Sequence, residues 1–406
     1  MRVLLIGTGG REHALAQALV HDPAVESLIC APGNPGMASI AECKPVNSND
    51  PGSVAALAVT TGADLVVIGP EAPLVAGVAD AVRAKGIAVY GPSGEAARIE
   101  GSKAFAKDVM AAADVPTAQS RVCSSDAELE AALNELGAPY VVKDDGLAGG
   151  KGVIVTDELD AALAHGRECD RVVVEEYLDG PEVSLFVISD GTNAAPLLPA
   201  QDYKRVGDGG AGPNTGGMGA YTPLPWAPDT LADEVMETVA RPTLRELASR
   251  GTPFVGTLYC GLALTSKGVK VVEFNARFGD PEIQAILPLL ESPLGDLLYK
   301  AANGNLDESE ALQWSNDAAV CVVVANEGYP GEVVKGRPIV GTDTEGVVHA
   351  GTATDDDGRI LATGGRVVNC VATGNDVASA RDAAYRVVDA VKLEGGHYRN
   401  DIAQGI

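Results

Sequence analysis

Val271-Val272-Glu273-Phe274-Asn275-Ala276-Arg277-Phe278-Gly279-Asp280-Pro281-Glu282 is the stretch that organises the rest of the chain. On an extended backbone, side chains alternate between faces, so Glu273, Asn275 and Arg277 project together. Three polar residues on one face of a core-like strand are costly unless something polar meets them. A surface ladder of ion pairs is the competing reading, and the apolar flank argues against it. A carboxylate and an amide oxygen are hard ligands suited to Mg²⁺, an ion that also holds nucleotide phosphates. Arg277 can then meet phosphoryl charge as it develops in a transition state.

Upstream lies Lys143-Asp144-Asp145-Gly146-Leu147-Ala148-Gly149-Gly150-Lys151-Gly152-Val153. A lysine ends one strand, a glycine loop follows, and another strand begins. This is not a Walker A loop, since Gly152 and a strand stand where Ser or Thr and a helix belong. Backbone donors and cations around a polyphosphate answer the same need. A plain glycine hairpin explains the glycines but not a lysine ending an apolar strand. Next, Val172-Val173-Val174-Glu175-Glu176-Tyr177-Leu178 ends a buried run in an acidic pair, with Glu182 a few residues on. By itself it reads as a strand exit; its functional reading is an adenine hinge. Gln201-Asp202-Tyr203-Lys204-Arg205 precedes the glycine-rich run 212–219. The length of that run favours a functional loop beside a triphosphate and a second substrate.

The first hundred residues alternate strands (3–6, 28–31, 65–68, 87–90) with helices (11–20, 72–84). That alternation predicts an open parallel sheet with ligands at its C-terminal edge. Glycine turns follow three of these strands: Gly7-Thr8-Gly9-Gly10-Arg11-Glu12-His13, Pro32-Gly33-Asn34-Pro35-Gly36 and Gly69-Pro70-Glu71-Ala72-Pro73. The first fails the dinucleotide spacing, with Glu12 at the third glycine. Together the three favour a small phosphorylated substrate. The fold class expected is α/β and α+β multidomain, divided into 1–101, 102–312 with a small lobe at about 118–180, and 313–406. In the last region, strands 318–324, 346–351 and 364–371 and a helix at 377–391 carry no obvious catalytic cluster.

Composition narrows the partners. Thirty Lys plus Arg against 56 Asp plus Glu give a net charge of −26, which disfavours nucleic acid and anionic membranes. An anionic substrate therefore needs a local pocket of cations and helix N-termini. Seven dispersed cysteines without CxxC spacing predict reduced, buried thiols. The run 3–6 is too short for a signal peptide and 320–325 is far short of a bilayer span, so a cytoplasmic protein is expected.

Six motifs in order carry a resemblance: GGREHA at 9–14, GPEAPLV at 69–75, EGSKAF at 100–105, KRVGD at 204–208, GPNTGGMGAY at 212–221 and EFNARFGDPE at 273–282. The chain resembles the phosphoribosylamine–glycine ligases of purine synthesis, in the ATP-grasp superfamily. That resemblance implies an N-terminal open sheet, an ATP-grasp core with a hinged small lobe and a C-terminal hybrid-type domain. It implies ATP-dependent ligation of glycine to 5-phosphoribosylamine through glycyl phosphate, with Mg²⁺ or Mn²⁺, by a monomer. ATP would be held by Lys103, Lys143, Gly149, Gly150, Lys151, Gly152 and Lys204, with Glu175, Glu176, Tyr177 and Leu178 as the hinge and Glu182 at the ribose. Glu273 and Asn275 would be the metal ligands; Arg277, Asp280 and Asp202 would be catalytic. Gly9, Gly10, Arg11, Glu12, Asn34, Gly36, Glu71, Asn214, Thr215, Gly216 and Gly217 would bind substrate.

Two features depart from the family pattern. Asp144 stands where Ala is common, and is expected to point outward. The stretch 162–171 is shorter than usual. Rival readings are another ATP-grasp enzyme such as a biotin carboxylase, a nicotinamide-dependent dehydrogenase, and a nucleotide sensor without turnover. The NTGGMGAY loop, the missing third glycine and the Glu273/Asn275 face weigh against the first two.

Overall fold

The structure is a computed structural model describing residues 1–147 and 152–406. Its N-terminal part is a parallel five-stranded sheet in the order Glu42–Cys43, Ser27–Pro32, Arg2–Gly7, Leu65–Ile68, Ala88–Tyr90. The central strand is buried on both faces, which is why it reads as a continuous apolar run. Leu4 and Ile6 pack into one core with Val66 and Val89, while Val3 and Leu5 pack into another with Leu15 and Leu19. The three glycine turns thus leave neighbouring strands at one sheet edge. The helix expected over 72–84 is instead two, Glu71–Val75 and Val78–Arg83. Gly77 between them takes φ 82, a left-handed conformation that a continuous α-helix cannot accommodate.

A small antiparallel sheet follows, in the order Ser120–Cys123, Val172–Glu175, Tyr140–Asp144, Val153–Thr156, with its own core around Leu129, Leu133 and Val142. The central antiparallel sheet pairs Ala194–Pro196, Glu182–Asp190, Val255–Thr265 and Gly268–Asn275. Its last strand stops at Asn275, so Arg277 lies two residues beyond the regular strand. The register pairs Leu262 with Val271 and Gly261 with Glu273, leaving Val272 as the extra residue of a bulge.

The remaining large sheet runs Gln201–Asp202, Gly219–Thr222, Ala318–Ala325, Arg366–Gly374, Val347–His349. Its first two strands come from the middle of the chain, so hydrogen bonding crosses the 312/313 division. The architecture is mixed α/β and multidomain, parallel at the N-terminus and antiparallel afterwards. All seven cysteines are free. Among the described residues, no helix is long and apolar enough to cross a membrane.

A buried contact ties the N-terminal and C-terminal sheets. His13 Nδ1 accepts the His349 backbone N–H at 2.8 Å, and Asn34 Nδ2 donates to the His349 carbonyl at 3.0 Å. Burial, helped by the adjacent His349 ring, pushes the His13 imidazole down from 6.5 to about 3. The unfolded chain therefore binds a proton here that the folded chain refuses. This contribution to stability is fully present above pH 6.5 and is lost as pH falls toward 3. His13→Gln should flatten that part of the Tm–pH profile; an unchanged slope would show that other groups set it.

Candidate functional site

A cavity of about 640 Å³ opens where the four sheets described above meet. On one wall, Lys143 lies one residue before the end of its strand, with Nζ 3.0 Å from Glu175 Oε2 and 2.9 Å from the Val272 carbonyl exposed at the bulge. The other Glu175 oxygen lies 3.2 Å from Lys107 Nζ, which also donates to Thr117 Oγ1 at 2.9 Å and the Ala118 carbonyl at 3.2 Å. Glu175, Lys143 and Lys107 are all buried. Burial brings the Lys107 ammonium down to about 8, against the pull of Glu175. Lys103 reaches the carbonyls of Asp144 and Gly146 at 2.7 and 2.9 Å. Asp145 accepts from Ser102 Oγ and Ala104 N at 3.0 Å each, tying the start of the loop to the same helix.

Asp144 itself is absent from the cavity wall. Its carboxylate stands beside the Cys169 thiol, whose pKa is raised first by burial and then by Asp144. That is the outward orientation expected. Glu176 accepts from Gln119 N at 3.1 Å and Lys270 Nζ at 2.8 Å, while Tyr177 stays about half exposed at the rim with Leu178 beside it. Gly152 lines the cavity, whereas Gly149, Gly150 and Lys151 fall outside the described residues.

The opposite wall is acidic. Glu182 Oε2 lies 2.5 Å from Lys204 Nζ, with Asp202 and Glu273 close by. Burial, reinforced by Glu282, Glu182 and Glu273, raises the Asp202 carboxyl well above its ordinary value, although Lys204 opposes this. Burial works against the Lys204 ammonium, but Glu182 and its acidic neighbours outweigh it and hold the pKa high. The loop after Lys204 is pinned: Thr215 donates to the Lys204 carbonyl through both N and Oγ1, at 2.7 and 2.8 Å. Asn214, Thr215 and Gly216 face the cavity and Gly217 lies behind them.

Where the walls meet the N-terminal loops, Arg277 lies 3.0 Å from Glu100 Oε1 and 3.3 Å from Glu71 Oε2. Burial opposes the Glu71 charge, but Arg277 and Arg11 overcome it and hold the carboxyl at about 2. Asp280 Oδ1 is 3.3 Å from Arg366, which also donates to the carbonyls of Gly216 and Asp280 at 2.6 Å each. Burial works to raise the Asp280 pKa, but Arg366 and Arg11 outweigh it and hold the carboxyl low.

Of the N-terminal candidates, Arg11 and Glu71 line the cavity; Gly9, Gly10, Glu12, Asn34 and Gly36 do not. Gly9 caps the helix Gly10–Val20 and donates to Glu12 Oε2 at 2.7 Å, and Glu12 is buried against Arg11 Nε at 2.6 Å. Asn34 is buried, accepting from Met37 N at 2.9 Å and donating to the Thr8 carbonyl at 2.9 Å. Gly36 packs against two imidazoles, and a Cβ there would stand 2.3 Å from the His13 ring and 2.7 Å from that of His349. These five build the loops around the cavity mouth.

Comparison with known proteins gives the family. Sequence models of the phosphoribosylglycinamide synthetase N domain, ATP-grasp (A) domain and C domain match residues 1–100, 101–283 and 319–405. The chain belongs to the phosphoribosylglycinamide synthetase family. A phosphoribosylamine–glycine ligase of Streptomyces coelicolor is 60% identical, covering 99% of each chain. One of Mycobacterium tuberculosis is 56% identical over 99% of this chain and 97% of its own. A crystal structure of the Thermotoga maritima phosphoribosylamine–glycine ligase superposes with TM-score 0.86 at 32% identity, covering 99% of this chain and 100% of that one. The biotin carboxylase of Campylobacter jejuni shares the fold alone, with TM-score 0.75 at 15% identity over 99% of this chain and 94% of its own.

Five site residues had no role assigned from sequence. Glu100 and Glu282 sit in recognised family motifs, but nothing local marked their side chains as partners. Lys107 lies one helical turn after Lys103 on Lys103–Ala112, a spacing that could have flagged it. Tyr259, whose OH is 3.0 Å from Ser184 Oγ, is hidden in an apolar strand. Arg366 carries no local signal at all. Lys107→Met leaves one oxygen of buried Glu175 without its cation, and breaking such a pair costs about 3–5 kcal/mol. A urea-unfolding loss below about 1 kcal/mol would show that Lys143 alone satisfies Glu175.

Proposed function

We propose that this cavity joins glycine to 5-phosphoribosylamine at the expense of ATP, releasing ADP and phosphate. The observation that carries the reading is Lys103 and Lys143 lining one cavity with Glu273, Asn275 and Arg277, in a chain aligned end to end with phosphoribosylamine–glycine ligases. The triphosphate would lie between the lysines and Lys204, beside Gly146 and Gly152. Among the described residues, no backbone hydrogen bond takes up the Glu176 carbonyl or the Leu178 N–H, which suits an adenine edge. Glu182 would meet the ribose.

No cluster of three or more His, Cys, Asp or Glu able to hold a metal occurs among the described residues. Two hard oxygen donors, Glu273 and Asn275, fit instead a cation that takes its other ligands from phosphate and water. Bound there, Mg²⁺ or Mn²⁺ would neutralise phosphate charge during transfer.

The chain's own residues account for the remaining work. Glycine's carboxylate attacks the γ-phosphorus, giving glycyl phosphate and ADP. Arg277, already charged and desolvated, meets the charge that develops on the transferring group. The amine of phosphoribosylamine then attacks the acyl carbon and expels phosphate. Arg11, Glu71 and the three glycine turns would seat the phosphoribosyl group. Asp280 and the 214–217 loop would orient the reacting groups. Asp202, a carboxylate on the wall of the same cavity beside Lys204, would take the proton the amine loses.

ADP formation stimulated by phosphoribosylamine should require glycine; full replacement of glycine by bicarbonate would overturn the reading in favour of a carboxylase. Arg277→Ala should lower kcat by about 10²–10³ while leaving ATP binding nearly unchanged. Equal losses in kcat and ATP affinity would remove it from the transition state.

A further inference from the structure

Glu100 stands in the last turn of the helix Gly94–Gly101, against the end of the strand Gly268–Asn275. Its side chain is 6% exposed, yet three successive residues of that strand end converge on it. Oε2 accepts the Ala276 backbone N–H at 2.8 Å, and Oε1 lies 3.0 Å from Arg277 Nη2. Oε1 also accepts from Asn275. Assigned from its hydrogen bonds, the Asn275 amide turns its nitrogen to Glu100 Oε1 and the Phe274 carbonyl, 3.1 Å from each. With the nitrogen so occupied, the amide oxygen is the atom left for the cavity.

We infer that Glu100 is a positioning residue that sets the polarity of Asn275, oxygen toward the metal, and holds Arg277 at the same time. Only an acceptor on both oxygens can do this, because all three partners are donors. A glutamine of the same shape brings a donor against one of them, favouring the flipped Asn275 with its nitrogen toward the cation. Two residues further on, Ser102 and Lys103 grip the loop 144–146, so one short segment spans both walls of the nucleotide site. The inference rests on the metal role proposed above for Asn275.

The test measures Mn²⁺ binding to the enzyme–ADP complex by electron paramagnetic resonance, alongside metal-free ADP binding by calorimetry. Glu100→Gln should weaken Mn²⁺ binding by about 10–100-fold, as loss of a ligand-orienting partner does elsewhere, with metal-free ADP binding unchanged. A purely structural role would lower Tm and weaken both. In the double variant Glu100→Gln/Asn275→Asp, the amide introduced at position 100 donates to a carboxylate that still offers an oxygen inward. It should regain most of the lost Mn²⁺ affinity, and a double variant no better than Glu100→Gln overturns the inference. Asn275→Ala separates the two layers. If it leaves Mn²⁺ binding unchanged, the metal assignment itself fails; if it abolishes binding while Glu100→Gln does not weaken it, only the role of Glu100 fails.

Discussion

A cation removed from water without a partner is either neutralised or expelled, and the cavity is built around that constraint. The buried and half-buried basic groups paired at its walls rest on carboxylates: Lys143 and Lys107 on Glu175, Lys204 on Glu182, Arg277 on Glu71 and Glu100, Arg366 on Asp280. These pairs keep the bases charged inside the protein, ready for an anion. Glu175 divides itself between two lysines, so each of its oxygens has its own cation. The net charge of −26 belongs to the whole surface, whereas the cavity concentrates a large share of the chain's few buried cations in one place.

Local chemistry made much of this legible. Four apolar runs separated by glycine turns were enough for the parallel sheet, because strands buried on both faces leave no polar alternation to confuse with helix. The period-two face of Glu273 and Asn275 survives in the structure. Arg277 reaches the same cavity after the strand has ended, so the right wall was inferred through an extension of regularity that the backbone does not keep. Lys143 ending an apolar strand was a sound signal, since its ammonium does find an anion, though that anion is Glu175. The adjacent acidic pair separates into unlike members: Glu175 is buried among lysines and Glu176 pairs with Lys270.

What stayed hidden is long-range. Arg366 is 86 residues from Asp280 and reaches it only because two strands from the middle of the chain join the C-terminal sheet. No periodicity within 364–371 encodes that approach. Asn34, Gly36 and Glu12 carry motif signals that suggest ligands, and in the fold the same residues also hold the loops at the mouth together. A short pattern reports that a residue type is demanded at a position. It does not say whether backbone, neighbour or ligand makes the demand.

The strand Gly219–Thr222 is wholly buried, paired on one side with Gln201–Asp202 and on the other with Ala318–Ala325. A fragment ending before Ala318 would strip that second neighbour and bare a ribbon of unsatisfied amides flanked by apolar side chains, a template for sticking to other copies. The stretch of polypeptide beyond that point is thus no detachable appendage. Severing it would also loosen the floor of the cavity, because Asp202 on that wall is held in place by pairing with the same strand.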